Sequence, residues 1–177
     1  MKIAISCLGR MDDTKTELWM VKRETGHWYE ASADFAHKGL GRGPGRCLVI
    51  GSPLFEALEL IQDRWRVTYV DVRSPPENYR RMFDFMQGDA SEIKLPENFD
   101  SASSSCVLCH AGMGRYGDKV TEGADLKIMK NIHRSLKKGG KAAITVGCVA
   151  EVQETLEIGT GWRVWNLEGA RVLMKDF

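Results

Sequence analysis

Two rhythms of apolar and polar positions alternate along this chain. Cys47 to Ile50 is an unbroken apolar run, too short for a helix and suited to a buried strand. Gly51 ends it. Leu54, Ala57, Leu58 and Ile61 then share one face of a helix. Ser52 is its expected N-cap and Pro53 its first residue, where a missing N–H costs nothing. Val67 to Val72 is a second apolar run, with Asp71 near its end. Strand, glycine turn, helix, strand and acid make a βαβ nucleotide-binding unit. The acid lies about 20 residues beyond the glycine, where a ribose-binding carboxylate belongs.

The same alternation continues towards the C-terminus. Ser74-Pro75-Pro76 is a turn, Glu77 to Arg81 has room for a turn or two of helix, and Met82 to Met86 predicts a third strand, with Gly88-Asp89 beyond its end. Asp100 to Leu108 predicts a fourth strand, unusual for Ser101, Ser103, Ser104 and Ser105. Thr121 is an expected N-cap. Leu126, Met129, Ile132 and Leu136 recur at helical spacing, and Lys137, Lys138, Gly139 and Gly140 read as a helix end. Lys141 to Gly147 predicts a fifth strand and Ala150 to Ile158 a short helix. Trp162 to Leu167 and Ala170 to Lys175, around Glu168-Gly169, predict an antiparallel hairpin, which would offer an edge for a homodimer.

The N-terminal region is less patterned. Ile3 to Cys7 suits a short strand, and Thr14 to Arg23 a helix with Leu18, Val21 and Trp19 packing inward. Trp28, Tyr29 and Phe35 fit either a lid whose rings stack on a base or a helix over the edge of the core, and the second is the simpler reading. Residues 39 to 46, GLGRGPGR, lack the Lys-Ser/Thr pair of a phosphate-binding loop and read as a linker. The expected division is an extension and linker over residues 1–44, then a Rossmann-like domain over 45–177.

Composition narrows the function classes. The 177 residues are 43% hydrophobic and 28% charged, with a net charge of +1, so bulk electrostatics predict neither a nucleic-acid surface nor an acidic partner. No apolar run approaches the length of a membrane span, and MKIAISCLGR is a poor signal peptide. Five scattered cysteines argue against a disulfide framework and for a reducing compartment, so the chain is expected in the cytoplasm.

The chemistry-bearing residues gather after the fourth strand. His110-Ala-Gly-Met-Gly-Arg-Tyr-Gly-Asp118 is a glycine-rich loop at the end of a central strand, dense in capable side chains. Cys106-Val-Leu-Cys109-His110 matches the haem-attachment pattern C-x-x-C-H. That chemistry needs export, and the motif runs off a buried strand, so haem ranks far below the other readings. A zinc site from Cys106, Cys109, His110 and Cys148 lacks a second C-x-x-C pair, and no metal is expected. His27, His37 and His133 have no partners at ligand spacing and read as surface or edge residues.

The ordered series of Gly51, Asp71, Gly88-Asp89-Ala90 and LKKGGKAAITVG resembles the class I S-adenosylmethionine (SAM) dependent methyltransferases over residues 45 to 177. LCHAGMGRYGD further resembles a little-characterised group with a GRYGD loop. The resemblance implies a doubly wound, mostly parallel sheet of about seven strands with a C-terminal antiparallel hairpin. It implies SAM held by Gly51, Ser52, Asp71, Val72, Asp89 and Ala90: Asp71 on the ribose hydroxyls, Asp89 on the adenine amino group. It puts His110 near the sulfonium as general base, with Tyr116 beside it, and Arg115 and Asp118 on a small-molecule acceptor. Asp118 equally suits a carboxylate bonding the loop's own N–H groups, and Arg115 its ion-pair partner. One departure is plain: Gly51-Ser52-Pro53-Leu54-Phe55 replaces G-x-G-x-G, removing an N–H at Pro53 and adding bulk at Phe55. The implied function is methyl transfer to a small or sugar-like acceptor. The alternative is a non-catalytic binding module with a degenerate turn. A nicotinamide enzyme, which needs the glycine turn more, ranks last.

Overall fold

The computed structural model describes residues 3–10, 17–21, 28–148, 156–157 and 162–177. In chain order the elements are β1 (Ile3–Arg10), β2 (Glu17–Val21), α1 (Trp28–Leu40), β3 (Gly45–Ile50), α2 (Leu54–Gln62), β4 (Trp65–Asp71), α3 (Glu77–Arg80), β5 (Asp84–Gln87), β6 (Phe99–Ser105), α4 (Ala124–Ser135), β7 (Leu136–Cys148), β8 (Leu156–Glu157), β9 (Arg163–Val164) and α5 (Leu167–Leu173).

Seven strands form one sheet in the order β2-β1-β7-β6-β3-β4-β5. The five from β7 to β5 are parallel, while β1 lies antiparallel on β7 and β2 antiparallel on β1. From β3 the chain steps outward to β4 and β5, then returns to the other side of β3 for β6 and β7. The order therefore reverses between β3 and β6, and a crevice opens beyond their carboxyl ends.

Alternate residues of each strand feed two cores. Cys47, Val49, Val67 and Tyr69 pack under α1 and α2, with Ala36, Leu40, Ala57 and Leu60. Leu48, Ile50, Val70 and Ala102 face the other way, under α4 and α5, with Ile128, Ile132, Leu173 and Met174. The serines of β6 sit between these layers for a specific reason. Ser103 donates to the buried Glu56 of α2, Ser104 reaches the Ile50 carbonyl at 3.4 Å, and the Ser105 N–H meets Ser52 Oγ at 2.8 Å.

Several local expectations are corrected. Glu17–Val21, within the predicted helix from Thr14 to Arg23, is a strand; the rest of that helix lies outside the described residues, apart from that strand. The C-terminal hairpin is replaced. Asn166 accepts from the Gly169 N–H at 2.7 Å and caps α5, whose Ala170 and Leu173 bury one helical face together with Met174 just beyond its end. The dimer edge expected of that hairpin goes with it, and the antiparallel strands of the sheet come from the N-terminal end instead. Most of the predicted helix from Ala150 to Ile158 lies outside the described residues, but Leu156–Glu157 is extended and pairs with β9. α4 begins after Gly123, at φ +67°, not at Thr121. Its Leu126 is half exposed, and Leu136 to Gly140 belongs to β7 rather than to a helix end.

Of the N-terminal rings, Phe35 packs against the core beneath α1; the rings of Trp28 and Tyr29 lie outside the described side chains. Residues 41–44 turn the chain into β3 against the end of α2, where the Gly43 N–H donates to the Asp63 carbonyl at 2.8 Å.

Candidate functional site

A cleft of about 470 Å³ lies at the carboxyl ends of β3, β4, β5 and β6, across the point where the strand order reverses. Four turns build it.

The first turn leaves β3. Gly51 has φ +52°, a conformation natural to glycine, and its N–H donates to the Val70 carbonyl at 2.6 Å. A Cβ there would stand 3.1 Å from a Val107 methyl, tighter than ordinary contact, so β3 and the β6 turn pack closely at this point. Ser52 does not cap α2 as expected. Its hydroxyl is buried, donates to the Ile50 carbonyl at 3.3 Å and accepts the Ser105 N–H. Pro53 takes the cap position with no side-chain bond, and Phe55, 37% exposed, stands in the cleft wall.

The second turn leaves β4. Asp71 Oδ1 accepts the Arg73 N–H at 2.8 Å and Arg73 Nε at 3.3 Å. Oδ2 accepts Arg73 Nη2 at 3.4 Å, and the Tyr69 hydroxyl divides its proton between Oδ2 at 3.1 Å and the Ser52 carbonyl at 2.7 Å. Val72 follows in the cleft wall. The third turn leaves β5 through Gly88 to Asp89 and Ala90. Asp89 Oδ1 accepts the Ser91 N–H at 2.8 Å, while the buried Oδ2 has no partner among the described residues. A buried acceptor without a donor is costly, and here it lies in the wall of an open cleft.

The fourth turn leaves β6. Cys106 has φ +58°, and the thiol of the buried Cys109 donates to its carbonyl at 2.8 Å. Burial pushes the Cys109 thiol up to about 12, so it stays a protonated core group. His110 faces the cleft, its ring edge-on to Tyr116 at 5.5 Å between centroids and 5.9 Å from the ring of Trp162. Asp118 accepts the N–H groups of Gly114 and Tyr116, both at 3.1 Å, and so holds the loop in shape. Arg115 forms no ion pair with Asp118 among the described residues, but its guanidinium lies 5.5 Å from the Tyr116 ring.

The cleft thus draws together Gly51, Ser52, Asp71, Val72, Asp89, Ala90, His110, Tyr116 and Asp118, while Arg115 stays outside its wall. Sequence reasoning missed Arg73, whose guanidinium lies 4.4 Å over the Tyr116 ring while bonding Asp71. It also missed the aromatic contact of Trp162 with His110. Among the described residues no group of His, Cys, Asp or Glu is placed to hold a metal ion, and no helix is long and apolar enough to cross a membrane.

Solved structures share this architecture. Burkholderia thailandensis 1,6-didemethyltoxoflavin-N1-methyltransferase, with bound 1,6-didemethyltoxoflavin and S-adenosylhomocysteine, is 19% identical with a TM-score of 0.63, over 83% of this chain and 65% of that one. The glycopeptide N-methyltransferase MtfA complexed with SAM is 14% identical with a TM-score of 0.58, over 87% and 78%. This chain has the class I methyltransferase fold. At such identities the likeness is of fold alone, and the same fold is found in the [4+2]-cyclase SpnF, 19% identical with a TM-score of 0.60, over 84% of this chain and 55% of that one. The chain therefore spans a little under two thirds of the toxoflavin enzyme and about half of the cyclase. The family model "Caenorhabditis protein of unknown function, DUF268" matches residues 83–151, which includes the loop from Cys106 to Asp118 of this methyltransferase fold. No curated protein matches the sequence.

Proposed function

We propose that the chain is a SAM-dependent methyltransferase acting on a hydroxyl or amine of a small-molecule or sugar-like acceptor. The observation that carries this reading is the unpaired Oδ2 of Asp89, buried in the same cleft wall that Asp71 enters from the neighbouring strand. β4 and β5 are parallel and in register, Asp71 opposite Gln87, so the two carboxylates leave the sheet on one rim. An amino donor of adenine satisfies Asp89, and a ribose diol suits Asp71, since an ionised carboxylate only accepts. Gly51, Ser52, Val72 and Ala90 complete the wall around the nucleoside. Asp89 Oδ2 as it stands fits the adenine amino group, and Asp71 fits a ribose once the exposed guanidinium of Arg73 gives way.

SAM, when bound, supplies an electrophilic methyl group on a sulfonium. The chain's own residues do the rest. His110 takes the proton of the acceptor's attacking oxygen or nitrogen, and Tyr116 fixes the imidazole from its edge. The cleft aligns the two reactants. Arg115 and the loop held by Asp118 meet the acceptor at the rim. A cytoplasmic location is part of this reading, supported by five scattered cysteines that suit a reducing compartment.

A second reading, a non-catalytic binding module, is favoured by one observation. Pro53 has no N–H to offer, and Phe55 occupies the cleft wall where a glycine-rich turn would leave space. Isothermal calorimetry with SAM and S-adenosylhomocysteine separates the two. The methyltransferase reading expects binding at micromolar ligand; absence of binding at millimolar ligand overturns it.

A further inference from the structure

Asp71 has little left to give a ribose. A carboxylate offers about four lone-pair directions. The Arg73 N–H and Nε take those of Oδ1, and Arg73 Nη2 and a share of the Tyr69 proton take those of Oδ2. Two of these donors are fixed by the fold: the Arg73 N–H, tied to the end of β4, and the buried Tyr69 hydroxyl. The guanidinium contacts are different. They are the longest of the set, and the Arg73 side chain is 57% exposed against 5% for Asp71. A ribose diol reaching Asp71 must therefore replace the guanidinium of Arg73.

The displaced group would remain in the neighbourhood. Its Cζ lies 4.4 Å over the Tyr116 ring, a cation–π contact that does not use the N–H fork. That ring is edge-on to His110, and Arg115 lies 5.5 Å from it. Tyr116 thus carries two guanidinium groups beside the proposed base. Of the acids nearby, Asp118 already accepts two loop N–H groups. Once Asp71 is occupied, the Arg73 fork has its donors free at the acceptor's end of the cleft.

We propose that Arg73 is a shared guanidinium, which holds Asp71 in the absence of nucleoside and turns to a carboxylate or phosphate on the acceptor once a ribose takes Asp71. The inference rests on the nucleoside reading given above, and it names the acceptor class: a small molecule carrying an oxyanion matched by the planar fork of Arg. It also couples the two ligands, because each favours the same position of Arg73.

The test is calorimetric titration of S-adenosylhomocysteine into the whole chain, with and without millimolar inorganic phosphate at constant ionic strength. In the wild-type protein phosphate tightens binding about five-fold, a small coupling by the usual scale. Arg73→Gln binds S-adenosylhomocysteine a few-fold tighter than wild type without phosphate, and phosphate then has no effect. Arg73→Lys, which keeps charge but not the fork, falls between them. An unchanged wild-type Kd with phosphate, an equal phosphate effect in Arg73→Gln, or weaker binding by Arg73→Gln overturns the shared guanidinium while leaving the nucleoside reading intact. Absence of S-adenosylhomocysteine binding in every variant overturns both.

Discussion

Ser103 donates its hydroxyl to the carboxyl group of Glu56 across the interface of β6 and α2, with both side chains sealed from water. Burial pushes Glu56 up to about 7, against the pull of the Ser103 hydroxyl. The unfolded chain releases that proton near 4.5. Between the two values the folded chain holds a proton that the unfolded chain has lost, so this group's contribution to stability falls as pH rises from about 4.5 through 7, then levels off. The full loss is about 3 kcal/mol. Glu56→Gln should abolish it. Urea melts at pH 5 and pH 8 measure most of the difference: because part of the loss has already occurred by pH 5, wild type loses about 2.5 kcal/mol more than the variant on going to pH 8. Equal losses would mean that Glu56 stays ionised throughout.

Gly51→Ala meets two obstacles, the positive φ and the Val107 methyls at 3.1 and 3.2 Å. The backbone conformation alone costs about 1–2 kcal/mol for a residue with a Cβ. Thermal melts of Gly51→Ala, Val107→Ala and the double variant separate the two parts. Val107→Ala should relieve the contact in the double variant but leave the backbone cost in place.

Asp89→Asn distinguishes a ligand group from a structural one. The amide oxygen can keep the Ser91 N–H, and the unpartnered Oδ2 position loses nothing within the protein. Stability should change by no more than about 1 kcal/mol, while affinity for S-adenosylhomocysteine falls about ten-fold or more, the scale of a hydrogen bond to a charged group. Calorimetry and a thermal melt on one preparation give both numbers. A large fall in stability with unchanged affinity would assign Asp89 to the fold.

His110→Ala should leave SAM affinity nearly intact and lower turnover at least about ten-fold, as loss of a general base requires. Methyl-transfer assays across pH supply the check, because the wild-type profile should lose its imidazole limb in the variant. Turnover unchanged by the substitution would remove His110 from the chemistry.

The stretch from Arg46 to Ala90 was readable because its apolar runs are unbroken and its turns carry glycine or proline. β3, α2, β4 and β5 follow that pattern closely. The C-terminal end was misread for a definite reason. Ala170, Leu173 and Met174 have helical spacing, but Glu168-Gly169 looks like a hairpin turn, and the cap that decides the matter is Asn166. Ser52 looked like a cap because the sequence could not reveal that Ser105, far along the chain, would claim its hydroxyl. The β6 serines were noticed without a partner, since nothing local points to Glu56. Arg73 carried no signal: a charged residue two places from a named acid is ordinary, and only the fold lays it on Tyr116.

The single turn of α3 has no buried residue, and β5 is the outermost parallel strand, bonded among the described residues to β4 alone. That corner of the sheet has the least to hold it shut, so its amides should trade deuterium through small local openings long before those of β3 and β4 do. Asp89 rides at the end of the same strand. A nucleoside gripped there would slow the breathing of Phe85 and Met86, and isotope exchange along β5 would register an occupant that touches neither residue.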